Sequence, residues 1–191
     1  MSPRSKEKFG EIRERKRRQI LDAAVDCFGT TGYHAVTISD LAKHAGISKG
    51  LMYNYFSSKE ELLKTIFNEI MVEMMDLFNP ENSSEINKKT FFEYFDRFIN
   101  HLQSNLRVWK MYTSIFSQPA VQQILFSEIQ SASRKPIEMI ESYFQREGYK
   151  QPFVEVAFLS TLVSGVTAEY IADPENFPIL QIKERILRLY Q

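Results

Sequence analysis

Residues 37–59 read TISDLAKHAGISKGLMYNYFSSK, and this stretch sets the architecture of the first part of the chain. Its small and apolar residues recur at the i, i+3, i+4 and i+7 spacing of a short amphipathic helix: Ile38, Leu41, Ala42 and Ala45. Thr37 precedes them as an N-cap residue, with Asp40 three positions later. Gly46 ends this helix, and Ser48 can cap a second short helix that runs to about residue 55. The pattern predicts a helix-turn-helix.

The second short helix is expected to have one buried side and one side rich in hydrogen-bond donors. Ile47, Met52 and Phe56 are placed to pin it to its neighbours. The residues left to face solvent are Ser48, Lys49, Gly50, Tyr53, Asn54 and Tyr55. An exposed surface of donors without an acidic residue is suited to a polyanion.

The segments before and after this stretch also have helical spacing, so we predict an all-α protein with about nine helices. A first helix is predicted over residues 11–30, with a basic run at 13–18, and a long helix, capped by Ser58 and Glu61, reaches residue 78. A linker at 80–85 follows. Further helices are predicted at about 88–104, 107–116, 120–146, 152–172 and 179–190. We predict a helix-turn-helix domain at 1–58 and a second helical domain at 59–191, with 59–78 as the connecting helix.

Composition narrows the class of protein. The chain has 191 residues, of which 43% are hydrophobic, and its single cysteine, Cys27, cannot form an internal disulfide; the numbers exclude a disordered chain and a disulfide scaffold. The longest uncharged runs, at 111–127 and 156–168, are too polar or too short to cross a bilayer, which takes about 20 apolar residues. The N-terminus has no apolar signal segment, so we expect a cytoplasmic protein.

The formal net charge is zero, but it is divided unevenly along the chain. Residues 1–60 contain 11 Lys and Arg against 7 Asp and Glu, whereas the remaining residues contain 13 against 17. A basic leading segment on an acidic body is typical of a protein whose first part meets nucleic acid. The alternative for this charge pattern alone is a solvated basic helix.

The run AGISKGLMYNYFSSKEEL at 45–62, preceded by GTTGYHAVTISDLA at 29–42, resembles the DNA-binding domain of the TetR family of transcriptional regulators. The resemblance covers about residues 10–70 and implies a helical ligand-binding and dimerisation domain behind the helix-turn-helix. It implies contacts to DNA phosphates from Thr37, Ser48, Tyr53 and Tyr55, with Lys59 as a further charge partner of the backbone. It implies contacts to base edges from Lys49, Gly50, Leu51 and Asn54.

The resemblance also implies that the last two helices form a homodimer interface. Two stripes meet this requirement, a stripe of small residues and an apolar seam: Ala157, Ser160, Ser164 and Ala168, then Ile182, Ile186 and Leu189. The alternative for either stripe is that it faces the protein's own core.

An aromatic segment between the two ends is a candidate ligand pocket. The segment 91–116 contains eight aromatic residues, and methionines lie before it in the chain. The candidate lining residues are Met71, Met74, Phe95, Phe98, Trp109, Tyr112 and Phe116. A hydrophobic or flat aromatic ligand would suit this wall, but the alternative is an ordinary packed core.

No cofactor or metal is expected, because His34, His44 and His101 share no ligand spacing, and Cys27 is expected to be a small buried residue. The sequence thus predicts a dimeric repressor that binds a pseudo-palindromic operator and is released by a small molecule. An activator, or a family member without an inducer, stays open. An enzyme using the aromatic body as a pocket lacks any nucleophile and base pair, and a protein-binding adaptor is the other rival.

Overall fold

The computed structural model of the chain describes residues 3–79, 83 and 85–191. This part of the chain is helical and contains no strand, which confirms the predicted all-α class. The ten α-helices are α1 (Pro3–Thr30), α2 (Ile38–His44), α3 (Lys49–Tyr53), α4 (Lys59–Phe78), α5 (Lys88–Ser104), α6 (Leu106–Phe116), α7 (Pro119–Ile124), α8 (Phe126–Arg146), α9 (Pro152–Ala172) and α10 (Ile179–Leu187). A 3-10 turn at Arg188–Tyr190 follows α10. Most of the predicted linker at 80–85 lies outside the described residues.

The single helix predicted at 120–146 is wrong, because the chain breaks at Leu125 into α7 and α8. Leu125 has φ −93° and ψ 7°, and its amide donates to the carbonyl of Val121 at 2.9 Å. Val121 and Leu125 are both completely buried, so the packing of this corner sets the break without a glycine or proline. Pro136, by contrast, lies inside α8 and does not end it.

The first helix begins earlier than predicted, at Pro3 rather than at residue 11. The apolar stripe that defined the prediction starts only at Ile20, which is completely buried. The segment before it is rich in Lys, Arg and Glu, which are good helix formers, and it therefore extends the helix into solvent.

The chain packs as two compact units, each with its own core. Unit 1 comprises Met1–Ile70 and Met111–Ser127, and unit 2 comprises Met71–Lys110 and Glu128–Gln191. The division falls inside α4, so this helix contributes to both units. The functional boundary after residue 58, with 59–78 as a connecting helix, stays a prediction.

The core of unit 1 fixes the predicted helix-turn-helix. Leu41 and Met52 are completely buried, and Phe56 is nearly so. Gly46 has φ +62°, a left-handed conformation that a residue with a side chain adopts only at a cost. The turn therefore forms where the sequence places it.

The core of unit 2 is aromatic. Phe91 stacks on Tyr143 with ring centroids 4.7 Å apart and meets Phe144 and Tyr190 edge to face. All four rings are buried. Aromatic pairs of this kind add stability beyond the apolar area that they bury.

Helix α9 is apolar but poorly covered within the chain. By length and composition alone it is the one helix among the described residues that could cross a membrane, and only 22% of its most apolar stretch is buried. The uncharged run at 156–168 forms its middle, and Glu155 and Glu169 flank that run. An interface helix of a soluble dimer has the same composition.

Candidate nucleic-acid interface

The first helix of the helix-turn-helix begins in a complete capping box, as predicted. The Asp40 amide donates to the Thr37 hydroxyl oxygen at 3.2 Å, and the Thr37 amide donates to the Asp40 carboxylate at 2.9 Å. The Thr37 hydroxyl also donates to this carboxylate at 2.6 Å, and these bonds lower the pKa of Asp40 below its ordinary value of 3.8. The Thr37 hydroxyl proton, predicted to meet a phosphate, is therefore already engaged within the chain.

The turn after α2 is held by hydrogen bonds from both of its sides. The Gly46 amide donates to the Lys43 carbonyl, and the Ile47 amide donates to the Ala42 carbonyl at 2.9 Å. The Gln19 side-chain amide in α1 donates to the Ala45 carbonyl at 2.7 Å. These bonds satisfy carbonyls that a helix end leaves free, and they fix the direction of the chain into α3.

The predicted contact residues in and beside helix α3 are exposed or half-buried. Ser48 caps it by accepting a hydrogen bond from the Leu51 amide at 3.1 Å. Met52 anchors the helix in the core. We call the exposed and half-buried residues of this segment the reading surface: Ser48, Lys49, Gly50, Leu51, Tyr53, Asn54 and Tyr55.

Part of the basic run of α1 is neutralised within unit 1. Arg17 forms an ion pair with Glu69 of α4 at 2.8 Å, and Arg18 reaches the same carboxylate at 3.3 Å. Arg13 lies over the ring of Tyr55, 5.7 Å from its centroid. The run at 13–18 therefore has less unpaired charge for a polyanion than its sequence suggests. Its Arg13 also packs against Tyr55, at the end of the reading surface.

Lys59 contacts the backbone of the loop between α1 and α2. Its ammonium donates to the carbonyls of Tyr33, Val36 and His34 at 2.7, 2.9 and 3.4 Å. It also lies 4.4 Å from the centroid of the Tyr33 ring, and burial lowers its pKa. Its donors are directed at backbone carbonyls, so Lys59 holds the loop between α1 and α2, and its contact with a DNA backbone stays a prediction.

The corner between α6 and α7 also forms hydrogen bonds to this loop and to the end of α1, and the sequence did not predict them. The Gln118 side-chain oxygen accepts from the Tyr33 amide at 2.8 Å, and its nitrogen donates to the Phe28 carbonyl at 3.2 Å. Ser114 donates to the Gly29 carbonyl at 2.8 Å. The only sequence signal was a glutamine in the N-cap position before Pro119, where a shorter polar residue is usual.

The predicted pocket residues are divided between the two units. Phe95 and Phe98 are buried in unit 2, together with the half-buried Trp109, Met71 and Met74. Tyr112 and Phe116 belong to unit 1, where Phe116 meets Phe67 edge to face. A shared pocket therefore stays a prediction.

Unit 2 does contain a cavity of about 510 Å³, but none of the predicted pocket residues lines it. Its wall includes the charged side chains of Lys135, Glu138 and Arg146 together with Met139. Across the described residues, no group of three His, Cys, Asp or Glu side chains could hold a metal ion.

The two predicted interface stripes differ in exposure. The small residues Ala157, Ser160, Ser164 and Ala168 are all exposed on α9. On the last segment, Leu189 is 51% exposed, whereas Ile186 is only 5% exposed and Ile182 is half-buried. Ile186 belongs to the core of unit 2 and Ile182 packs against it, which is the alternative that the sequence left open.

Comparison with known proteins places these features in one family. The family model described as "Bacterial regulatory proteins, tetR family" matches residues 20–66. The HTH-type transcriptional regulator BetI of Escherichia coli O45:K1 (strain S88 / ExPEC) is 27% identical over 79% of this chain and 80% of its own length.

Two solved structures have the same fold. NalD, the secondary repressor of the MexAB-OprM multidrug efflux pump in Pseudomonas aeruginosa, aligns with a TM-score of 0.71 at 17% identity, over 92% of this chain and 93% of its own. The transcriptional regulator FadR from Bacillus subtilis, solved in complex with stearoyl-CoA, aligns with a TM-score of 0.70 at 18% identity, over 90% and 96%.

The capping box yields a pH-dependent prediction. A carboxyl whose pKa is lowered by folding stabilises the fold above its unfolded pKa, and this contribution is lost as the pH falls through the lowered folded value. We expect Asp40→Asn to reduce the thermal midpoint at pH 7, with the difference from wild type shrinking in acid below about pH 4. Melting followed by circular dichroism at pH 7, 5 and 3 measures it.

Asp76→Asn, which changes an exposed carboxylate on α4, is the matched control. A difference between wild type and Asp40→Asn that is as large at pH 3 as at pH 7 would contradict the assignment.

Proposed function

This chain belongs to the TetR family of bacterial transcriptional regulators, and we propose that it is a dimeric repressor that binds a pseudo-palindromic operator and leaves it when a small molecule binds. The single observation that carries the proposal is the reading surface: an exposed segment of donors anchored by the buried Met52. A protein that reads DNA needs a rigid element whose free side enters the major groove.

The chemistry of the reading surface supports a division between base and phosphate contacts. Lys49 can donate to guanine O6 and N7, Asn54 can pair with adenine, and Leu51 can touch a thymine methyl group. Gly50 lets the backbone approach the groove closely, since nothing lies within 4 Å of the place a side chain would occupy. These four residues are the proposed specificity determinants.

The proposed phosphate contacts are Ser48, Tyr53 and Tyr55. The Ser48 oxygen accepts a bond from Leu51, which leaves its hydroxyl proton available to a phosphate. Tyr53 is half exposed, with its hydroxyl at the end of a rigid ring. For Thr37 and Lys59, whose polar groups are engaged inside unit 1, we propose that they position α2 and the loop before it.

Dimerisation is supported by the exposure of the last two helices. Phe153, Val154 and Phe158 of α9 are 65%, 52% and 46% exposed, and Leu180 of α10 is 50% exposed. Together with the four small residues of α9 they make an apolar surface of the kind that soluble proteins cover with a partner. The proposed interface therefore consists of α9 with Leu180 and Leu189, and omits the buried Ile186.

The effector is proposed to be a hydrophobic or aromatic small molecule. The aromatic composition of unit 2 supports this, as does the complex of the Bacillus subtilis FadR with stearoyl-CoA. Helix α4 is shared by both units, so we propose that the ligand acts through it. A coupling of about 1–3 kcal/mol would change operator affinity about 5- to 150-fold.

Regulation of the opposite sign, by an activator, uses the same reading surface and is separated from repression by transcription assays. The family consists of regulators, so we propose that the chain is not an enzyme and that it acts in the cytoplasm, where its proposed DNA partner lies. An adaptor for proteins would bind no DNA fragment.

The reading surface is tested by Lys49→Ala combined with Tyr53→Ala. We expect this variant to bind a duplex selected from genomic fragments at least a hundredfold more weakly than wild type, because a base contact contributes about 1–3 kcal/mol and a phosphate contact adds to it. Fluorescence anisotropy measures the affinity. Lys150→Ala, at an exposed position of unit 2, is the control and should bind like wild type. Unchanged binding by the double variant would refute the proposed surface.

The interface is tested by Ser164→Glu on α9. A two-fold dimer would bury the introduced carboxylate twice in its interface without an opposite charge, so we expect the variant to sediment as a monomer where wild type sediments as a dimer. Ser131→Glu places the same charge at an exposed position of α8 and should remain dimeric. A wild-type monomer, or a dimeric Ser164→Glu variant, would show that α9 is not the interface.

A further inference from the structure

The corner between α6 and α7 is bonded directly to the backbone that leads into the helix-turn-helix. Gln118 and Ser114 contact Tyr33, Phe28 and Gly29, the end of α1 and the loop that follows it. All of these residues belong to unit 1. The contact is close, because a side chain at Gly29 would lie 3.4 Å from the Met111 side chain of α6.

The loop at 31–36 has little regular structure of its own, so side chains determine its position. Gly32 takes φ +92° within it, and the loop ends at Thr37, the N-cap of α2. Lys59 bonds its carbonyls, and Gln118 bonds the amide of Tyr33. A change in the position of Gln118 would therefore reach the start of α2 through the backbone of Tyr33.

The geometry of Gln118 is more specific than packing requires. It stands at the N-cap of α7 but makes no capping bond, and its side chain instead uses both its acceptor and its donor. The nitrogen also donates to the Ser114 carbonyl at 3.0 Å, which ties the side chain to α6. A primary amide is the neutral group that can accept from one backbone site and donate to others at once.

We propose that Gln118 is a positioning residue for operator recognition: from the α6–α7 corner of the same unit it sets the position of the loop that leads into α2, and with it the reading surface. This inference rests on the proposed DNA-binding function. Displacement of the Gln118 side chain would release the Tyr33 amide and shift the loop at 31–36 that leads into α2.

The test compares Gln118→Met with Gln122→Met in the full-length protein. Gln122 is a glutamine of the same short helix whose amide bonds the Phe116 carbonyl at 3.1 Å, inside the segment 111–127, so it controls for loss of an ordinary side-chain bond. Three quantities are measured: affinity for a selected operator duplex, affinity for a random duplex of equal length, and amide hydrogen exchange at Tyr33.

We expect Gln118→Met to bind the operator about tenfold more weakly, to bind the random duplex as wild type does, and to exchange the Tyr33 amide faster. A loss of affinity for the operator without a loss of affinity for the random duplex indicates that the reading surface is misplaced, because non-specific binding depends on charge. Gln122→Met should match wild type in all three measurements. Gln118→Glu is the second variant: it keeps the acceptor for Tyr33 but places a carboxylate against the Phe28 carbonyl, and should also lose operator affinity.

Two results would overturn the inference alone: operator affinity within twofold of wild type in both Gln118 variants, or an equal loss of affinity for operator and random duplex, which indicates general destabilisation. A wild-type protein that selects no duplex would overturn the proposed function and this inference with it.

Discussion

The ammonium group of Lys59 sets the geometry of the DNA-reading half of the molecule. The loop between α1 and α2 is too short and irregular to satisfy its own carbonyls, and three of them converge on this one cation. Hydrogen bonds to a charged donor are about twice as strong as neutral ones, so the first turn of α4 and the start of α2 are held as one body. Lys59 therefore joins the beginning of α4 to the loop that leads into the reading surface.

Some of the basic residues of unit 1 stabilise the fold through ion pairs and are not simply available to attract DNA. Glu69 of α4 pairs with two arginines of the basic run, so those arginines join α1 to α4 instead of lying free in solvent. In the proposed function, the reading surface would meet DNA with a small number of donors that buried residues such as Met52 hold in place. Recognition in this account depends on the position of these donors more than on net charge, which is zero for the chain as a whole.

The local features of the fold were predictable because each depends on residues that are close together in the sequence. The Thr37 and Asp40 capping box, the Ser48 cap and the left-handed Gly46 each follow from the conformational needs of a helix end. The break at Leu125 was not predictable, since burial at that corner creates it and no breaker marks it. The roles of Lys59 and Gln118 were missed for a related reason: each bonds backbone atoms more than 20 residues away, and a backbone carbonyl has no signature in the sequence. The stripe of small residues on α9 was identified from its spacing. In the last segment of the chain, by contrast, only the structure shows that Leu189 is exposed and Ile186 is buried.

The central claim is that a dimer reads DNA through residues 48–55, and its most direct test is selection of genomic fragments by the purified protein followed by affinity measurements over a salt series. The account predicts enrichment of a pseudo-palindrome whose half-site centres lie about 34–36 Å apart, with affinity that falls steeply as salt rises. Enrichment of no fragment, or binding that does not change with salt, would contradict it.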